Sequence, residues 1–330
     1  MLELGYVKGR NLFWPGPPGT LSFFWQQTED YRSTSGVDAS ILPLDAQGQA
    51  AWNTDNEWAV RTRTSIWAST FDKDFHNRTV RHIRTVFGGT FYNDEFGRNR
   101  YIVVEHREST PVSRGVHAVL MQLEAELDAL EHALPAEMIE GVLTPRGGIT
   151  EATDETGIVR FSKQMDPART VYNALVPFLV AVIEHFFREC FEILLKYDSS
   201  AIGKLEEQSR KLSFTEATAI ARHELTVERV VSGWYSFQNM ESIQKAYKDL
   251  FEIDVWKVLR LRKKVRGRLP TVLKALRELI GARHGVVHHF SMDRDLDREG
   301  FLYLLHLVRA LLGLVSEEIE HKLGVELGPG

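Results

Sequence analysis

The stretch ARHGVVHHF, residues 282 to 290, sets Arg283 and His288 five residues apart, with His284 and His289 beside them. A guanidinium is always charged and grips phosphate oxygens through two parallel donors, while an imidazole exchanges a proton near neutral pH. Brought to one phosphodiester, the two supply enough chemistry to cleave RNA without a metal: proton transfer for a 2′-hydroxyl attack and stabilisation of the charge that builds on phosphorus. With 27 arginines and 12 histidines in the chain, this spacing arises about once by chance, so surroundings must decide its meaning. Wider gaps pair Arg283 with His289, Arg100 with His106 and Arg277 with His284. The catalytic histidine is thus open between His288 and His289, with His284 a supporting group.

The elements around the motif supply the context. An apolar helical run, TVLKALRELIGA, leads into Arg283, and beyond His288 an acidic turn, SMDRDLDREG, precedes the long amphipathic run FLYLLHLVRALLGLVSEEIEHKLG. Upstream, ten basic residues against the single acid Glu278 lie between Lys257 and Arg283, among them Arg260, Arg262, Lys263, Lys264, Arg266 and Arg268. Such a patch suits a phosphate backbone, and the bland alternative is a solvated helix face. This order resembles the C-terminal part of a HEPN domain (higher eukaryotes and prokaryotes nucleotide-binding), whose signature is an arginine, a polar residue and a histidine after a gap of four to six. SFQNMESIQKAYKDLFEID, residues 236 to 254, is similar to the middle segment of some bacterial members. The resemblance covers residues 165 to 325 or so and leaves the first 150 untouched. It implies a helical bundle that dimerises, setting two motifs across an interface, with Arg283 and His288 catalytic and His284 as the polar second residue.

A step of five residues turns about 500° around a helix, which leaves the Arg283 and His288 side chains about 140° apart. A locally irregular turn at Gly285, or a partner subunit, must therefore bring them together.

The rest of the chain reads as two halves. Residues 1 to about 110 carry five of the seven tryptophans; LSFFWQQ, EWAVRTRTSIWAS and RYIVVEHRE have strand character. DKDFHNRTVRHIRTVFGG predicts a helix with Phe71, Phe75, Thr79, Ile83 and Val86 on one side, stopped at Gly88. Pro111 opens a periodic helix through Val116, Leu120, Leu123, Leu127, Leu130 and Leu134, a packing arm or a short coiled-coil seam. A linker is expected at 140 to 156, between an α+β domain over 1–150, suited to a sensor or regulatory role, and an all-α HEPN-like bundle over 157–325. In that bundle Asp166 and Pro167 cap a helix reaching Tyr197, which Pro177 kinks or truly begins. Ser213 with Glu216 forms a capping box, Asn239 caps another helix, and Pro270 opens the one carrying Arg283. The final run spreads Phe301, Leu304, Leu305, Leu307, Val308, Leu311, Leu312 and Val315 over a stripe too wide for a surface helix, which argues for a partner.

Composition narrows the classes further. Hydrophobic residues make up 43% and charged residues 26%, ordinary for a globular protein. Cys190 is the only cysteine, so neither a disulfide framework nor a Cys-based zinc site is expected. The start MLELGYVKGRNLFWPGPPG lacks a signal-peptide pattern, and NALVPFLVAVIEHFF breaks at Glu184 and His185 before it could span a bilayer. A cytoplasmic location and no membrane partner are expected. Net charge of −5 argues against a protein that coats nucleic acid over its whole surface.

Other motifs fail on inspection. GPPGT at 16 to 20 lacks the lysine of a phosphate loop. Asp293, Asp295 and Asp297 open like a calcium loop, but Arg298 replaces the turn glycine and Leu304 the bidentate glutamate, so they read as capping acids. His185 and His223 build no zinc-binding helix, and no Gly-x-Gly-x-x-Gly follows a strand. The expected function is a metal-independent endoribonuclease, with no cofactor and RNA as substrate. It would be a homodimer through the helical half, of the kind found among toxins and phage-defence effectors. The N-terminal half is expected to meet a trigger or regulatory protein. The competing class is a HEPN-like bundle that binds RNA or dimerises without cutting.

Overall fold

A computed structural model describes residues 1–9, 16–65, 67–104, 109–137, 165–207 and 211–328. They form two compact units, Met1–Ala118 with Val325–Gly330, and Val119–Gly324. The division falls within a helix rather than near residue 150, and the expected linker at 140 to 156 lies outside the described residues. An α+β first unit precedes a mostly helical second, in keeping with the expected fold class.

The first unit is an antiparallel meander of β1 (Val7–Gly9), β2 (Leu21–Trp25), β3 (Val37–Pro43) and β4 (Trp58–Arg63), in that spatial order. Alternation in β2 and β3 places Phe23, Trp25, Val37 and Ala39 on one face, with Phe23 opposite Ala39 and Trp25 opposite Val37. Tyr6 and Phe75 close this core, and the Trp25 and Phe75 rings stack with centroids 3.5 Å apart. Burying one such aromatic side chain contributes about 2 kcal/mol. A short helix, α1 (Ala46–Trp52), precedes β4, and α2 (Thr70–Phe87) follows it.

Ser69 caps α2, which stops at Gly88, where φ is 71°. Phe75 and Thr79 are buried as expected, but Val86 is exposed. The expected strand RYIVVEHRE does not form in its described part: residues 101–104 join no sheet. They lie along α2 instead, where the Asn77 side chain exchanges hydrogen bonds with the Ile102 backbone at 2.9 and 3.1 Å. A small hairpin, β5 (Tyr92–Asn93) with β6 (Gly97–Arg98), precedes that segment. The fully buried Asp72 carboxylate accepts from the Ser33 hydroxyl and from the Thr34 and Ser35 amides at 2.9 and 3.0 Å, tying the 33–36 loop to the start of α2.

α3 (Pro111–Ala133) opens at Pro111, with Val116, Leu123 and Leu127 buried. It packs within the chain; in the second unit its Glu124, Asp128 and Glu131 carboxylates surround Arg309. The core helix is α4 (Pro167–Tyr197), whose first amides are capped by Asp166. It runs through Pro177 rather than starting there. Around it stand α5 (Ser199–Glu206), α6 (Phe214–Ala221), α7 (Val227–Ser232), α8 (Met240–Phe251), α9 (Val255–Leu259), α10 (Val272–His289) and α11 (Arg298–Leu323). The Ser213–Glu216 capping box and the Asn239 cap both form. From α8 the buried Tyr247 hydroxyl donates to the Phe187 carbonyl at 2.6 Å.

α4 and α11 are long and apolar enough, by length and composition, to cross a membrane. Here they pack on one another, with Phe186, Phe187 and Phe191 of α4 and Phe301, Leu305 and Leu312 of α11 fully buried. The broad stripe on α11 is thus satisfied within one chain, and its width is no argument for a partner. Val171 and Phe178 on α4 are among the exposed apolar side chains of this unit.

Candidate functional site

The basic run is not a helix face. Residues 261 to 272 fold as a β-hairpin: Arg262 pairs with Thr271 and Val265 with Arg268 in one antiparallel register. Val265 and Arg268 exchange both backbone hydrogen bonds, at 2.8 and 2.9 Å. They close a two-residue loop whose residues Arg266 and Gly267 have φ of 44° and 81°. Two positive φ values are what a type I′ hairpin turn requires, and Gly267 makes the second without strain.

Alternation across the hairpin separates its side chains. Val265 is buried against Ala275 and Leu307, anchoring the arm, while Arg262 and Lys264 lie on the opposite face, exposed. Arg268 lies over the Tyr303 ring at 4.5 Å, Arg266 pairs with Glu299 at 2.6 Å, and Lys257 with Glu318 at 2.8 Å. Arg260, Arg262, Lys263 and Lys264 pair with no carboxylate among the described residues. Pro270 belongs to the returning arm, where its carbonyl accepts from the Lys263 amide. It does not open the next helix; α10 begins at Val272 with Thr271 as its cap residue.

α10 carries two rows. Val272, Leu276 and Leu279 recur at steps of four and three and are buried, and Arg283 continues that row, half-buried. Lys274, Arg277, Gly281, His284 and His288 recur on the other side and are all exposed. The helix is regular through His289, so the expected irregular turn inside the motif does not occur. Arg283 and His288 lie on different sides of α10, and one chain does not bring them together.

What does converge is histidine. The His284 ring lies 4.6 Å from that of His288 and 5.3 Å from that of His289, centroid to centroid. The first contact is the ordinary neighbour relation of residues four apart. The second lies across the last turn before the helix ends: Phe290 is left-handed, with φ of 50°, and its amide and that of Ser291 both donate to the Gly285 carbonyl, closing the C-terminus. All three rings are exposed. The result is one imidazole cluster at the C-terminal end of α10, some 24 Å along the axis from the hairpin, with Lys274 and Arg277 on the exposed row between.

The turn after the cluster is fastened from below by residues the sequence did not single out. Buried Asn173, on α4, donates to the Asp293 carbonyl at 2.8 Å and accepts from the Asp293 amide at 2.7 Å. Arg169, one helical turn earlier, donates to the Arg294 carbonyl at 2.8 Å and lies 3.6 Å from the Glu137 carboxylate. Glu137 in turn accepts from the Arg298 amide at 2.9 Å, at the start of α11. Of the three expected capping acids, Asp297 caps α11 through the Gly300 amide at 2.7 Å, and Asp293 accepts from the Asp295 amide within the turn. The only signal for this lock in the sequence was the polar pair Arg169 and Asn173 inside an apolar helix.

No group of three or more histidine, cysteine, aspartate or glutamate side chains is arranged to hold a metal ion among the described residues. His185 makes an ordinary pair with Glu189 one turn on, at 3.7 Å. No protein-family model, curated protein or solved structure matches the chain.

Proposed function

We propose that the chain is a metal-independent endoribonuclease of HEPN type, built as a homodimer in the toxin or phage-defence setting that the resemblance implies. The observation that carries the reading is the exposed basic route of the second unit: a hairpin presenting Arg262, Lys263 and Lys264, which pair with no carboxylate among the described residues, then Lys274 and Arg277, ending at His284, His288 and His289. RNA phosphates are held along the first part, and the histidines meet the scissile bond. His288 moves a proton as the ribose 2′-oxygen attacks phosphorus and the 5′-oxygen leaves, so that a 2′,3′-cyclic phosphate remains. Arg283 supplies the charge that stabilises the transition state. Because it stands on the other side of α10 from His288, it does so across the dimer, from the second copy.

Purified protein incubated with total RNA tests this, with and without EDTA, beside Arg283→Ala, His288→Ala and His289→Ala. Cleavage that persists in EDTA and is lost in the first two variants is expected, with cyclic phosphate at the new 3′ ends. A requirement for added magnesium would overturn the mechanism, and loss in His289→Ala alone would transfer the proton step to that residue. RNA bound by the hairpin but never cut would favour the non-catalytic reading, for which the divergence of Arg283 and His288 is the supporting observation.

A further inference from the structure

The first unit carries a second surface of quite different chemistry. Along α2, Arg78 lies over the Phe75 ring at 5.0 Å, Arg81 over Tyr101 at 4.9 Å, and Arg84 over Phe91 at 5.4 Å. Arg84 also donates to the Tyr101 hydroxyl at 3.2 Å, and the Tyr101 and Phe91 rings touch, with centroids 4.8 Å apart. Asn77 holds the 101–104 segment along the helix, so this ladder of guanidinium and ring is set by the backbone. Arg78, Arg81, Arg98 and Arg100 are exposed, and neither these four nor Arg84 pairs with a carboxylate among the described residues. Beside them Tyr92 and Phe87 are 71% and 79% exposed.

We infer that this surface binds single-stranded nucleic acid, independently of whether the histidines of the second unit cut RNA. A guanidinium held over a ring still has outward N–H groups to offer phosphate oxygens and, being already positioned, loses little side-chain freedom on binding. Exposed rings among such arginines are platforms for unpaired bases, whereas a duplex hides its bases and an acidic peptide has nothing to stack. Charge and aromatic surface occur together here, and a single strand is the ligand that uses both.

The test uses the full chain and a labelled oligothymidylate of about fifteen nucleotides, a length within single-strand site sizes. Lacking the 2′-hydroxyl, it reports binding without cleavage, so this inference and the nuclease reading fail separately. All measurements are made with the hairpin substituted (Arg262, Lys263, Lys264 and Arg266 to serine), so that residual binding belongs to the first unit. Arg81→Ser with Arg84→Ser should then weaken binding about tenfold or more and flatten the salt dependence by about 1.4, the value for two single-strand phosphate contacts. Tyr92→Leu should weaken it about tenfold with the salt slope unchanged. Arg81→Lys with Arg84→Lys keeps the charge and should keep the slope while losing affinity, and thermal melting checks that each variant folds. The inference is overturned by absent binding in the hairpin-substituted protein, by unchanged binding in the arginine variants, by preference for duplex, or by equal competition from polyglutamate.

Discussion

At the residue scale, Asn173 has the largest structural duty near the candidate site, since it satisfies both backbone groups of Asp293 from inside the bundle. Asn173→Ala removes the partner of that part-buried amide and carbonyl, a loss of about 1–3 kcal/mol for two hydrogen bonds, and should lower the urea midpoint and loosen the turn after His289. Asn173→Asp keeps the acceptor but sets a carboxylate against the Asp293 carbonyl, so it should not rescue. In the first unit His76 packs under the sheet with its Nε2 3.0 Å from the Thr62 hydroxyl. Burial holds its pKa below the usual value, with the hydrogen bond to Thr62 acting the other way. The folded state therefore binds fewer protons than the unfolded one. Stability should be intact above about pH 6.5, the unfolded value, fall as pH drops through it, and level off below the depressed folded value. Hydrogen exchange of the β3 and β4 amides between pH 8 and 5 reads this, and His76→Gln should flatten the slope; an equal slope in the variant would assign it elsewhere.

At the scale of elements, the hairpin decides how the basic run works. As a helix face its cations would have been spread around a cylinder; as a ribbon anchored by Val265 it holds Arg262 and Lys264 on one side. Replacing Arg262, Lys263, Lys264 and Arg266 with serine should weaken RNA binding and reduce the salt slope by about 0.7 for each phosphate that is no longer neutralised, with saturating RNA recovering turnover. Gly267→Val should act on the same property through the backbone, because a β-branched residue at φ of 81° strains the turn by about 1–3 kcal/mol. Nuclear magnetic resonance shifts of the hairpin amides would register its opening, and unchanged shifts would mean that the turn does not depend on glycine.

At the scale of the whole molecule, the separation of Arg283 from His288 on α10 makes a second copy necessary to the proposed chemistry. In a two-fold dimer each site would take Arg283 from one chain and His288 from the other. Mixing inactive Arg283→Ala with inactive His288→Ala should then restore about one quarter of wild-type activity, since half of the dimers are mixed and each has one intact site. No recovery after subunit exchange, or cleavage by a protein that sediments as a monomer at micromolar concentration, would exclude a shared site.

What the sequence determined by itself is what depends on neighbours along the chain. Periodicity and caps marked α2, α3, α4 and α11 through Gly88, Pro111, Asp166 and Asp297, because the hydrogen bonds of a helix end are local. The spacing of five already placed Arg283 and His288 on different sides of a helix, since that follows from helical pitch alone. Tertiary structure decided the rest. The central strand β3 carried too weak an alternation to be read, and residues 101–104 were strand-like yet lie along α2, because strand character means only that a segment fits a half-buried surface. The basic run had the composition of a helix face, and the burial of Val265 against Ala275 and Leu307, together with the turn at Arg266 and Gly267, made it a ribbon. The wide stripe of α11 suggested a partner chain, but α4 of the same chain covers it: hydrophobic burial is satisfied by whichever surface is nearest in space, and distance in sequence does not report that.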